Sequence, residues 1–122
     1  MAGAVVHFEI TGTDGAKLRS FYTELFDWKI NADNPMGYGI VESEQTSTGQ
    51  AGLPGGIAQG PEGYPGHVTV YVEVPDVEAA MAKAESLGGK RLMGPEQVME
   101  NVEIGLFHDP EGHVIGLIKA VS

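Results

Sequence analysis

His7 and Glu9 lie at i and i+2 in the run Val5-Val6-His7-Phe8-Glu9-Ile10, so an extended backbone presents both on one face. A histidine beside a carboxylate can act as a general base around neutral pH, or begin a metal-ligand set. A second run, from His67 to Val74, places His67, Thr69, Tyr71 and Glu73 on one parity and four valines on the other. His67 precedes Thr69 by two residues, about 6–7 Å along a strand. His7, His67 and a glutamate therefore form one conceivable displaced site for a divalent metal, although ligand bonds near about 2 Å tolerate little displacement. His113 falls on the opposite parity from Gly116, which assigns it to the surface, and the parity of His108 decides nothing.

These residues need strands to carry them and helices to back the strands. Val6, Phe8 and Ile10 alternate with Val5, His7 and Glu9, the period of a half-buried strand. The period then changes: Leu18, Phe21, Tyr22 and Leu25 stand at i, i+3, i+4 and i+7, one apolar stripe of a helix begun by Asp14. Folding that helix onto the apolar face of the strand leaves His7 and Glu9 facing away from it. Short strands are expected at 28–30, 38–42 and 53–57, with a turn at Asn34-Pro35 and a polar loop over 44–49. The stretch from Gly49 to Gly66 holds seven glycines and three prolines, and its last part, 60–66, reads as a linker.

After the linker the pattern returns. Val68, Val70, Val72 and Val74 form an apolar face, and Asp76 opens a helix with Val77, Ala80, Met81 and Ala84 inward. Gly88-Gly89 ends it, strands follow at 90–93 and 103–108, and Asp109-Pro110-Glu111-Gly112 turns into a last strand at 113–120. Aligning Asp14 with Asp76 gives an offset of 76 − 14 = 62, which carries His7 onto Thr69 and Glu9 onto Tyr71. Gly56 and Gly116 correspond at 116 − 56 = 60. The chain is an internal repeat of two βαβββ modules, each too small to stand alone.

Composition limits the partners. With 17 acidic against 7 basic residues the net charge is −10, which opposes phosphate backbones and anionic membranes, so no nucleic-acid or membrane partner is expected. There is no cysteine, hence no disulfide, thiolate metal site or cysteine nucleophile. No apolar run is long enough to span a bilayer, and the first residues lack a basic segment, so a cytoplasmic location is expected. An acidic protein suits a cationic ligand.

The chain resembles the vicinal oxygen chelate superfamily, which includes glyoxalase I, bleomycin and fosfomycin resistance proteins and extradiol dioxygenases. Four stretches carry the resemblance: His7-Phe8-Glu9-Ile10; Phe21-Tyr22-Thr23-Glu24-Leu25-Phe26-Asp27-Trp28; Leu87-Gly88-Gly89; and the run from Asp109 to Leu117. It implies an α+β fold of two tandem βαβββ modules, about 4–59 and 67–121, whose curved mixed sheets surround a cleft. In metal-dependent members one ligand sits on the first strand of each module and one on the last. By register these positions are His7, Gly56, Thr69 and Gly116 here, and only His7 is a good ligand.

The departure argues against metal-based lyase or dioxygenase chemistry. Glycines at 55, 56 and 116 are expected to open space for a flat or bulky molecule, with Tyr71 on the cleft face and Trp28, Tyr38 and Tyr64 at a rim. The expectation is a homodimeric protein that binds a small cationic or aromatic molecule through His67, Thr69, Tyr71, Glu73, Gly56 and Gly116, without a cofactor. The alternative is a lyase or isomerase of glyoxalase type using His7 and Glu9, or a divalent metal at the displaced site. A partner-binding protein with no small ligand is a third reading.

Overall fold

The computed structural model describes residues 2–43, 49–50, 52–99 and 101–120. The polar loop expected over 44–49 falls, for 44–48, outside the described residues. Those described form two helices and eight strands in an α+β arrangement of two βαβββ modules. The chain divides into two compact units, one of His7–Val68 and the other of Met1–Val6 with Thr69–Ser122.

In the His7–Val68 unit, strand β1 (Val5–Gly12) leads to helix α1 (Gly15–Phe26), then β2 (Ile30–Asn31), β3 (Gly39–Val41) and β4 (Gly55–Gln59). The strand order is β2-β3-β4-β1. The sheet is mixed: β4 runs parallel to β1, with Glu9 opposite Gly56, and antiparallel to β3. Asp14 caps α1 by accepting from the Lys17 N–H at 3.0 Å. The helix ends where Asp27 turns left-handed at φ 57° and donates its N–H to the Thr23 carbonyl.

The sequence stripe on α1 is only partly the buried one. Gly15 is buried and Leu18, Arg19 and Tyr22 are half-buried, whereas Phe21 and Leu25 are 55% and 57% exposed. Gly15 is the cause: a Cβ there would stand 3.2 Å from that of Gln59, so the bare glycine seats the helix against β4 and selects the Gly15, Leu18, Arg19, Tyr22 face. Phe8 faces this helix as its parity requires, its ring 5.4 Å from Trp28, which stacks on Tyr22 at 5.3 Å. Trp28 thus belongs to the helix side and not to a rim beside His7. The expected linker is tied down: Gly60 donates to the Gly12 carbonyl, and Gly66, at φ +105°, passes against the Thr11 carbonyl where no side chain would fit.

The second unit orders its strands β5-β8-β7-β6. They are β5 (His67–Glu73), β6 (Lys90–Met99), β7 (Val102–His108) and β8 (Val114–Ala120), with helix α2 (Val77–Ser86) between β5 and β6. Asp76 caps α2 through the Ala79 N–H. Here the helix stripe is as expected: Val77 and Met81 are fully buried with Leu117, and Val72, Val74, Ala80 and Phe107 pack around them. Met81 lies over Gly105, whose Cβ would come within 2.6 Å of its sulfur. Arg91 on β6 bonds Glu78 and Glu85 of α2 at 2.7 and 3.0 Å, fastening strand to helix.

The valine face of β5 is not uniformly the inner one. Val72 and Val74 pack under α2, but Val68 is 77% exposed while Thr69 and Tyr71 on the polar parity are 5% and 4% exposed. Strand β6 also runs six residues beyond the expected Met93, with register shifts against β7. Met81 fills the glycine-floored core, so Met81→Ala should destabilise the fold by about 2–5 kcal/mol, read as a lower urea midpoint. A loss below about 1 kcal/mol would place the core elsewhere.

Candidate functional site

The His7–Val68 unit joins five side chains into one hydrogen-bonded chain centred on Glu9. Glu9 is 7% exposed; its Oε1 accepts from the Tyr38 hydroxyl at 3.0 Å and its Oε2 from His67 Nε2 at 2.7 Å. His7 Nε2 stands 3.0 Å from the Tyr38 oxygen, and the Tyr64 hydroxyl 2.6 Å from His67 Nδ1. A buried carboxylate is costly unless hydrogen-bonded, and charge-assisted bonds to both oxygens offset that cost.

The donors follow from what each group can do. A carboxylate only accepts, so His67 donates from Nε2 and Tyr38 from its hydroxyl. The Tyr38 proton being used, His7 must donate from Nε2, which leaves the lone pair of its neutral ring on Nδ1. The Tyr64 hydroxyl, a phenol whose pKa is raised by burial and then by the Glu9 charge, shares a hydrogen bond with His67 Nδ1. Tyr38 and His67 both donate to Glu9. The His7 pKa is lowered from 6.5, because burial disfavours the charged ring more than Glu9 favours it.

Local structure sets these positions. Asn34 shapes the 34–38 turn: its Oδ1 accepts from the Met36 and Tyr38 N–H groups, and its Nδ2 donates to the Tyr38 carbonyl at 2.7 Å. Gly37, at φ +63°, completes the turn and sends Tyr38 across the sheet. There the phenol lies over Gly56, and a Cβ at 56 would overlap its hydroxyl. Phe8 likewise fills the space beside Gly55. On the other unit the Tyr71 ring lies over Gly116, 2.5 Å from where a Cβ would be.

The glycines therefore do not open the expected cavity above themselves; neighbouring aromatic rings occupy it. Tyr38 and Tyr64, assigned to a rim by sequence, are network members. The available signal was Gly55-Gly56 opposite β1, since a bare strand invites a ring from elsewhere. Of the candidate residues, His7, Glu9 and His67 come together. Thr69 lies in the other unit, where its hydroxyl donates to the Val114 carbonyl; Tyr71 is buried over Gly116, and Glu73 is exposed with its N–H bonded to the Ala4 carbonyl. His113 is exposed and bonds Asp109 at 3.0 Å, as its parity predicts.

Hydrogen bonds to one another engage these donors. His67 and Glu9 are bonded directly to each other, and the Tyr38 hydroxyl stands between His7 and Glu9. Among the described residues no three His, Cys, Asp or Glu side chains are grouped to hold an ion. At the register positions taken from the resemblance, Gly56 and Gly116 lie beneath tyrosine rings and the Thr69 hydroxyl is bonded to backbone.

Residues 4–117 match the model of the Glyoxalase/Bleomycin resistance protein/Dioxygenase superfamily. The chain belongs to this family. It is 33% identical over 118 residues to the Mycobacterium tuberculosis protein named as a glyoxylase, CFP32, covering 92% of this chain and 44% of that one. It is 29% identical over 123 residues to the anthracycline biosynthesis protein DnrV of Streptomyces peucetius, covering 90% and 44%. The chain thus spans less than half the length of these relatives. Among solved structures, a Streptomyces coelicolor methylmalonyl-CoA epimerase variant in complex with 2-nitronate-propionyl-CoA superposes over 100% of both chains, with TM-score 0.65 and 17% identity. A Bacillus halodurans protein, BH1468, matches with TM-score 0.65 and 14% identity, over 100% of this chain and 97% of that one. Both show the shared fold.

Because burial holds His7 neutral and Glu9 opposes that effect, the His7 ring should titrate below pH 6.5 by NMR, and lower still in Glu9→Gln. Its folded pKa lies below the unfolded value, so the unfolded state binds more protons in that window and stability rises with pH up to about 6.5. A midpoint above 6.5, or an upward shift in Glu9→Gln, would contradict the assigned surroundings.

Proposed function

We propose that the protein binds a small organic molecule at the polar face carrying His7, Tyr38, Glu9 and His67, without a metal. The observation that carries this reading is Glu9, a buried carboxylate with both oxygens held by aromatic donors. Such a centre is a fixed negative charge framed by rings, suited to a flat, cationic partner. The net charge of −10 favours the same sign of ligand, and relatives named for anthracycline biosynthesis agree with a ligand of aromatic type. A cytoplasmic homodimer is part of this proposal. Among the described residues no helix is long and apolar enough to cross a membrane. The relatives are more than twice the length that this chain covers, so two copies together approach one relative.

A second reading is favoured by His7. A half-buried imidazole with a lowered pKa and a donor path through Tyr38 to a carboxylate is fit for proton abstraction. Isomerisation beside a carbonyl needs such a base. On this reading His7 takes the proton on Nδ1, and Tyr38 with Glu9 stabilises the resulting imidazolium.

Proflavine, a planar aromatic cation, should bind saturably in a fluorescence titration, and its affinity should fall about tenfold or more in Glu9→Gln and decline with added salt. The protein should sediment at twice the mass of one chain. With an enolisable hydroxyketone in D2O, protein-dependent deuterium incorporation that is lost in His7→Gln, with the amide spectrum of the variant reporting an intact fold, would select the isomerase reading. No saturable binding and no exchange would contradict both.

A further inference from the structure

Helix α1 leaves part of its apolar stripe uncovered. Phe21 and Leu25, one turn apart, are 55% and 57% exposed, while Leu18 and Tyr22 on the adjoining flank are half-buried. The Phe21 ring meets Tyr22 edge-on at 5.0 Å, so the exposed side chains continue the packed face outward. Together they present roughly 150–200 Å2 of apolar surface. In α2 the corresponding stripe is closed in, with Val77 and Met81 fully buried.

The charges of α1 point to what covers this face. Lys17 and Glu24 are exposed and share it with Phe21 and Leu25, the four standing at i, i+4, i+7 and i+8. Their order runs against the helix dipole: Lys17 and Arg19 stand in the first half of α1, Glu24 in its last turn and Asp27 at its C-cap. No acidic residue lies in the first turn and no basic residue in the last. Helix α2 has the favourable order, Glu78 in its first turn and Lys83 in its last. An order that is unfavourable along one helix becomes complementary between two antiparallel copies of it. Each basic half then lies against an acidic end, and the opposed dipoles attract.

A second copy turned end for end meets these demands. A two-fold axis at Phe21 sets each Phe21 against its counterpart, and position 17, four residues before it, against position 25, four after it. Leu25 of one copy then packs along the Lys17 stem of the other, and Glu24, the next residue, comes within reach of that ammonium. Within one helix Lys17 and Glu24 are two turns apart, about 10 Å, and cannot pair. Two copies gather about 300–400 Å2 of half-exposed apolar surface, the apolar centre of an interface of about 1,600 Å2, with the charged side chains as its rim.

We infer that this face is where two copies of the chain meet, α1 against α1, antiparallel about a two-fold axis at Phe21. The inference rests on the homodimer proposed above and names its interface; it is independent of what binds at Glu9.

Sedimentation equilibrium of the intact chain and its variants reads the dimer dissociation constant. Phe21→Gln and Leu25→Gln change exposed side chains on a helix, so far-UV circular dichroism and the urea midpoint should hold while each weakens the dimer about thirtyfold or more. Lys17→Glu and Glu24→Lys should each weaken it about tenfold, and the double variant, which exchanges the two charges, should recover the parent affinity. A parent that is dimeric with Phe21→Gln and Leu25→Gln at undiminished affinity would overturn the inference and leave the homodimer standing. A charge exchange that fails to recover affinity would overturn the antiparallel pairing. A parent that stays monomeric at every concentration would contradict both the interface and the homodimer.

Discussion

The buried charge of Glu9 is the constraint on which the His7–Val68 unit turns. A carboxylate at 7% exposure needs donors, and they come from three places in the chain: Tyr38 after the Asn34 turn, His67 at the start of β5, and, one bond further out, Tyr64 and His7. Each donor makes its own demand on the backbone. Tyr38 requires a glycine at 56 and the left-handed Gly37; Tyr64 and His67 require the 60–66 segment to be drawn back onto the end of β1. Features that look separate along the chain serve one electrostatic requirement.

The same glycine–tyrosine relation occurs in both units. Tyr38 lies over Gly56 and Tyr71 over Gly116, at the two last-strand positions where metal-dependent members of the family are expected to carry ligands. In each module a phenol ring covers the glycine at that position. In the His7–Val68 unit that ring links His7 to Glu9, so a histidine retained at a ligand position becomes part of a hydrogen-bonded system.

Most of the architecture was legible because it is written in periodicity. The alternation in β1, the change of period at Asp14, the repeat offset and the glycine stop of α2 all have local causes, and the structure has the elements there. What was misread depended on contacts between elements. The exposure of Phe21 and Leu25 follows from Gly15 seating α1 on β4, and no helical wheel contains that contact. Val68 reads as core and lies exposed, while Tyr71 reads as a cleft residue and is buried, because the ring needs Gly116, a residue forty-five positions away (116 − 71 = 45). His7, Glu9 and His67 could be selected by type and parity, but their linkage through Tyr38 could not, since it rests on a turn and a bare strand elsewhere in the chain.

The central claim is that Glu9 organises the site by holding Tyr38 and His67, and a double-mutant cycle tests it most directly. Urea unfolding at neutral pH of the parent, Glu9→Leu, Tyr38→Phe and the double variant gives the coupling between carboxylate and phenol. A hydrogen bond to a charged group at this depth predicts a coupling of about 1.5–3 kcal/mol, with the double variant less destabilised than the sum of the singles. Additivity within about 0.5 kcal/mol would show that the two groups do not depend on each other, and would contradict the account.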